Sequence, residues 1–159
     1  MPEHASTTGQ WLKKAYQEYV FDNICHKVHY VNVAWNVDFH DDFVEEYHDL
    51  PKDVQDELLT CVTLLEQFGP LLGRPRVDTL NGSRHANMKE LRFDAADGVW
   101  RFALAFDPNR QAIILCGGDK SGGSEKRFYL QLIGRADARF DAHLAGIKKQ
   151  KEKERKSRR

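Results

Sequence analysis

Apolar residues recur along this chain with two different periods. From Val31 the period is two: Val31, Val33, Trp35, Val37 and Phe39 fall on one face, against Asn32, Ala34, Asn36 and Asp38. That alternation predicts a strand. The same period returns in 99–106, where Trp100, Phe102, Leu104 and Phe106 alternate with Val99, Arg101, Ala103 and Ala105. Just upstream, Leu91 and Phe93 share a face in the run 87–93, and the polar stretch 94–98 joins the two runs as a hairpin. Residues 112–116 (Ala-Ile-Ile-Leu-Cys) are apolar on both faces, as an interior strand is.

Elsewhere the spacing is helical. Phe43, Val44 and Tyr47 mark a helix over 41–48. A second helix follows Leu50-Pro51 on the stripe Val54, Leu58, Val62 and Leu65, and Gly69-Pro70 stops it. A third covers 126–147 on Phe128, Leu132, Ala136, Phe140, Leu144 and Ile147. Residues 10–24 predict a short amphipathic helix through Trp11, Tyr16 and Val20. Residues 71–86, with Gly73, Pro75 and Gly82, read as a linker. The order predicts an α+β fold: an N-terminal strand and helical hairpin, an antiparallel sheet of about four strands, and a C-terminal helix. Three segments result: an extension over 1–28, one domain over 29–148, and a basic tail over 149–159.

Composition narrows the class. The 159 residues suit one core. No apolar run approaches the length of a bilayer span, and no secretory signal is visible at the N-terminus. Cys25, Cys61 and Cys116 are odd in number and have no C-x-x-C spacing, so neither a disulfide framework nor a zinc site is indicated. A reducing cytoplasm is the expected home. The net charge of zero hides an asymmetry. Residues 1–69 hold 4 Lys/Arg against 13 Asp/Glu, or −9, and residues 70–159 hold 20 against 11, or +9. Such separation points to an anionic partner for the second half. Much of that excess lies in 148–159, where 8 basic residues face 2 acidic ones, a pattern common in disordered tails.

Candidate chemistry follows from the strand alternation. With the aromatics facing the core, Arg101 points to the opposite, open face, joined there by Glu90 and Arg92. This is either a solvated ion pair, worth little, or an anion site, since an arginine fork suits phosphate. Arg74, Arg76, Arg84 and His85 in the linker either line a nucleic-acid groove or are simply loop polarity. Residues 117–123 read as a flexible glycine-rich loop carrying Lys120, without the residue order of a P-loop.

Several motifs together resemble the phage-derived branch of the RelE/HigB toxins of type II toxin–antitoxin modules. They are Leu72-Gly73-Arg74-Pro75, Val77-Asp78-Thr79-Leu80, Asn87-Met88-Lys89-Glu90-Leu91-Arg92, Ala105-Phe106-Asp107-Pro108 and Gly117-Gly118-Asp119-Lys120. The resemblance covers roughly residues 33–148. It implies a ribosome-dependent endoribonuclease that cuts mRNA, with a helix-turn-helix (HigA-like) antitoxin as partner in a hetero-oligomer, and no membrane association. It implies catalytic roles for Lys89 and Arg101, with Lys120 in a loop that supplies another cation. Lys126 and Tyr129 would flank the RNA, Tyr129 as a stacking or polarising aromatic, beside Arg84 and His85. Glu90 departs from RelE itself, where a second lysine is expected.

Cleavage by 2′-OH attack needs a proton acceptor, stabilisation of phosphate charge, and a donor for the departing 5′-oxygen. Arg92, Arg101 and Lys120 suit the second task. Glu90 or His85 suits the first, histidine because it titrates near neutrality. Lys89 starts on the core-facing side and reaches the site only if the strand twists or starts later. The chemistry calls for no cofactor and no metal.

Overall fold

The computed structural model describes residues 35–158. It contains β1 (Asn36–Phe39), α1 (Asp41–His48), α2 (Lys52–Phe68) and a 3-10 turn (Gly69–Leu71). These are followed by β2 (Val77–Thr79), β3 (Met88–Ala95), β4 (Gly98–Phe106), β5 (Gln111–Asp119) and α3 (Glu125–Ser157). The amphipathic segment 10–24 and the first residues of the predicted N-terminal strand lie outside the described residues.

The local signals behave as their chemistry dictates. The His40 side chain accepts a hydrogen bond from the Asp42 amide at the start of α1, and Asp41 and Asp42 occupy the first turn, where the helix dipole favours acids. Pro51 precedes α2, and Gly69 ends it at φ 54. The Trp35 ring lies 2.2 Å from where a Cβ on Gly69 would stand, so this position has no room for a side chain. Ala96 and Asp97, at φ 48 and 58, make the tight β3–β4 turn, whose twist matches that of its strands.

The sheet has five strands in the order β1-β5-β4-β3-β2. It is mixed, not purely antiparallel: β1 pairs parallel with β5, and the other pairs are antiparallel. The extra strand is β2, inside the predicted linker. Its three residues are too few to show a period, and its pairing with β3 holds it in place. The predicted loop over 117–123 is also shorter, because Gly117, Gly118 and Asp119 complete β5.

Both sheet faces are covered. On one, α1 and α2 pack over Leu91, Phe93, Phe102, Leu104 and Ile114. Phe102 is fully buried, with Phe43, Phe93 and Trp100 rings around it. Truncating such a ring costs about 3–5 kcal/mol. On the other face, α3 packs Leu132, Ala136 and Phe140 over Met88, Ala103, Ala105, Ile113 and Leu115. The face expected to be open is therefore roofed by α3. The alternation was correctly placed, but the helix that covers it comes later in the chain. Nor does α3 stop at Ile147; it continues to Ser157, through most of the stretch read as a tail.

Candidate active site

Where α3 begins, its roof crosses the polar end of the sheet. Arg101 pairs with Arg92 on β3 and with Gly118 on β5, and Glu90 pairs with Ala103. Alternation puts Glu90, Arg92 and Arg101 on the α3 face. Gly118 lets the helix come close: a Cβ there would stand 3.3 Å from the Phe128 ring. Glu90 and Arg101 are each 7% exposed.

Their hydrogen bonding is incomplete. Arg101 Nη1 donates to the Trp100 carbonyl at 2.8 Å. Arg101 Nε and Glu90 Oε2 find no hydrogen-bond partner among the described residues. Leaving buried polar atoms unpaired costs about 1–3 kcal/mol each, so such atoms mark functional candidates. Tyr129 closes the cluster. Burial raises its phenol pKa, the charge of Glu90 and a hydrogen bond to it raise it further, and Arg101 and Lys120 oppose the shift. The phenol thus stays a proton donor well above neutrality.

Two cations form the rim. Lys120 lies 5.8 Å over the Tyr129 ring, and its Nζ donates to Glu125 Oε1 at 2.9 Å. That hydrogen bond holds the Glu125 carboxyl below its usual range, with the charges of Lys120 and Arg101 adding to it. The Lys120 amide donates to the Val99 carbonyl at 2.6 Å, two residues before Arg101. On the other side, Arg92 lies 3.8 Å from Glu90 Oε1 and 3.3 Å from Asp78 Oδ2. The side chains of Lys120 and Arg92 are 23% and 27% exposed.

Of the residues singled out in the sequence, Glu90, Arg92, Arg101, Lys120 and Tyr129 come together. Lys89 does not. It shares the face of Leu91, beneath α2, and donates to Thr79 Oγ1 at 3.1 Å. The strand already begins at Met88 and its register with β4 is unbroken from Met88 to Ala95, so Lys89 keeps that face. Arg84 and His85 are held to the middle of α3 rather than its start: both bond Asp141, His85 at 2.8 Å, and the Arg84 amide bonds Asp137 at 3.2 Å. Lys126 is exposed on the first turn of α3. Sequence reasoning missed two carboxylates, Asp78 and Glu125. Glu125 had a signal, being five residues from Lys120 and directly after Ser124, the helix cap. Asp78 had none without the pairing of β2.

The family model described as phage-derived protein Gp49-like matches residues 45–141. The chain belongs to the Gp49-like family. Among the relatives of this Gp49-like chain are two candidate toxins of Mycobacterium tuberculosis. HigB2 is 43% identical over 108 residues, covering 67% of this chain and 53% of that protein. HigB3 is 48% identical over 96 residues, covering 60% of this chain and 82% of that protein. The aligned part therefore spans about half of HigB2 and most of HigB3. The HigB-type resemblance read from the motifs is borne out. A free-state E. coli RelE toxin, carrying two arginine-to-alanine changes, superposes with a TM-score of 0.43 at 13% identity, covering 62% of this chain and 96% of that one. Among the described residues, no helix is long and apolar enough to cross a membrane, and no group of three or more His, Cys, Asp or Glu is placed to hold a metal ion.

Proposed function

We propose that this Gp49-like chain is the toxin of a type II toxin–antitoxin module and a ribosome-dependent endoribonuclease that cuts mRNA without a metal ion. The observation that supports this best is the Glu90–Arg101–Tyr129 cluster, with its unpaired buried atoms and cationic rim. In the proposed reaction the 2′-OH attacks the adjacent phosphorus and the bond to the 5′-oxygen breaks, leaving a 2′,3′-cyclic phosphate. Arg101, with Arg92 and Lys120 at the rim, stabilises the charge that builds on the phosphate oxygens. Glu90 accepts the 2′-OH proton. Tyr129 supplies the proton for the departing 5′-oxygen, or the face on which a base stacks. His85 is less suited as base, because Asp141 holds it away from the cluster. Lys89 takes no part.

The proposed partner is a helix-turn-helix antitoxin. It would hold the toxin off either by covering the cluster or by bulk that excludes the toxin from the ribosome. Induced expression in a bacterial host, with mapping of mRNA 5′ ends, tests the reading. New 5′ ends within translated frames are expected, and they should vanish when the antitoxin is co-expressed. Intact messages in growing cells would leave a non-catalytic RNA- or protein-binding module.

A further inference from the structure

The last turns of α3 leave the body of the domain. Residues 148–158 are all exposed. At 1.5 Å per residue they form an arm of roughly 16 Å. The arm holds seven Lys or Arg against Glu152 and Glu154, a net of +5 (7 − 2). The hydrogen bonds along it are internal, from Gln150 to Glu154 at 3.4 Å and from Ser157 to the Glu154 carbonyl at 2.9 Å.

The arm differs from the rest of the protein in how its charge is handled. In the body, several arginines are matched by carboxylates: Arg76 by Glu57, Arg84 by Asp141, Arg139 by Glu46, and both Arg74 and Arg92 by Asp78. Among the described residues, the seven cations of the arm make no salt bridge. Seven like charges repel one another along a helix, and like pairs four apart, such as Lys149 and Lys153, destabilise it. A polyanion laid along the arm would relieve that repulsion.

The arm also has a partner surface. A groove of about 390 Å³ lies between it and the β4–β5 turn, floored by Pro108, Leu144 and Ile147 and walled by Lys148, Lys151 and Arg155, with Glu152 among them. Across the turn stands Arg110, its guanidinium 4.9 Å over the Trp35 ring. Cations therefore line the groove from the helix, and Arg110 adds one at the turn, a sign suited to a ribose–phosphate strand.

We propose that residues 148–158, with the groove at their base, are a docking surface for the phosphate backbone of structured RNA, separate from the cluster at the other end of α3. The proposal extends the RNA reading of the function but does not depend on cleavage. Contacts to phosphate position a protein without reading sequence, so the arm would add affinity and orientation rather than choice of cut site.

The test uses the full chain and a short 2′-O-methyl RNA hairpin, which lacks the nucleophile for 2′-OH attack and so reports binding alone. The variant is Lys148→Ala, Lys151→Ala and Arg155→Ala together. Alanine is the best helix former, so circular dichroism should show the helix retained. Each phosphate contact contributes about one unit to the slope of log affinity against log salt. The triple variant should lower that slope by about 3 and weaken binding at low salt by at least about tenfold. An unchanged slope and affinity would overturn the proposal. So would poly-glutamate bound as tightly as the hairpin through the same three residues, because the surface would then fit an acidic protein. Uncut mRNA in cells, with hairpin binding retained, would remove the cleavage reading and leave the arm in place. Unchanged hairpin binding in the variant, with cleavage intact, would do the reverse.

Discussion

The two ends of α3 treat charge in opposite ways. At the first turns, Tyr129 and Phe128 press onto the sheet and bury Glu90 and Arg101 to 7% exposure each. At the last turns, seven cations stand in solvent with no carboxylate partner among the described residues. Water largely quenches charge at the far end, and salt screens it over about 8–10 Å. At the near end the surroundings are drier, so a fixed guanidinium acts more strongly on a nearby charge. One helix thus offers a site suited to acting on a phosphate and another suited to holding a chain of them. The difference is set by packing: Leu132, Ala136 and Phe140 bring the first half of α3 onto the sheet, and no such stripe continues past Ile147.

Breaking the buried end should cost stability. Glu90→Ala removes the buried carboxylate that faces Arg92 at 3.8 Å and should lower unfolding free energy by about 3 kcal/mol, measured by urea denaturation. Glu90→Ala with Arg101→Ala should cost clearly less than the sum of the single changes, since groups sharing one site couple by about 0.5–3 kcal/mol. Strict additivity would mean that the two residues do not act as one cluster.

Breaking the exposed end should cost almost nothing in the fold. Removing residues 148–159 should change stability by less than about 0.5 kcal/mol, as surface changes do. A larger loss in the same titration would show that the arm is packed on the body and not free to bind.

The smallest effect concerns pH. The folded-state pKa of Glu125 lies below its ordinary value, through its hydrogen bond to Lys120. A depressed carboxylate contributes stability above the unfolded pKa and loses it as pH falls through the folded one. The first turn of α3 should therefore hold at pH 5 and loosen only below the usual carboxylate range, near pH 4. Amide exchange across residues 125–129 would show this, while exchange in 148–158 should stay fast throughout. Loosening already at pH 6 would mean that the Lys120–Glu125 pair does not organise that turn.

Much of this arrangement was legible in the sequence, for identifiable reasons. The alternation in β4 was long enough to fix which face Arg101 takes, and Glu90 and Arg92 followed from Leu91 and Phe93. The helical stripes of α1, α2 and α3 were complete. Two kinds of information were missing. Long-range pairing is invisible locally, so β2 was read as linker, the parallel partner of β1 was not foreseen, and Asp78 was overlooked as the acid beside Arg92. Coverage is equally non-local. Nothing in β3 or β4 says that Phe128 and Tyr129 will roof the polar face, so a buried cluster was read as an open one. Lys89 shows the converse: its parity with Leu91 already placed it on the other face, and the structure keeps it there.

The most direct measurement is single-turnover cleavage of an mRNA held on purified ribosomes, comparing the wild-type chain with Arg101→Lys. Lysine keeps a positive charge near Tyr129, so the fold should stand, but it loses the planar fork that grips phosphate. The expected result is loss of about 2.7–4 kcal/mol of transition-state stabilisation, a hundredfold to a thousandfold slower cleavage, with an unchanged far-ultraviolet spectrum. Cleavage at the wild-type rate by the folded Arg101→Lys chain would contradict the placing of the chemistry at the start of α3.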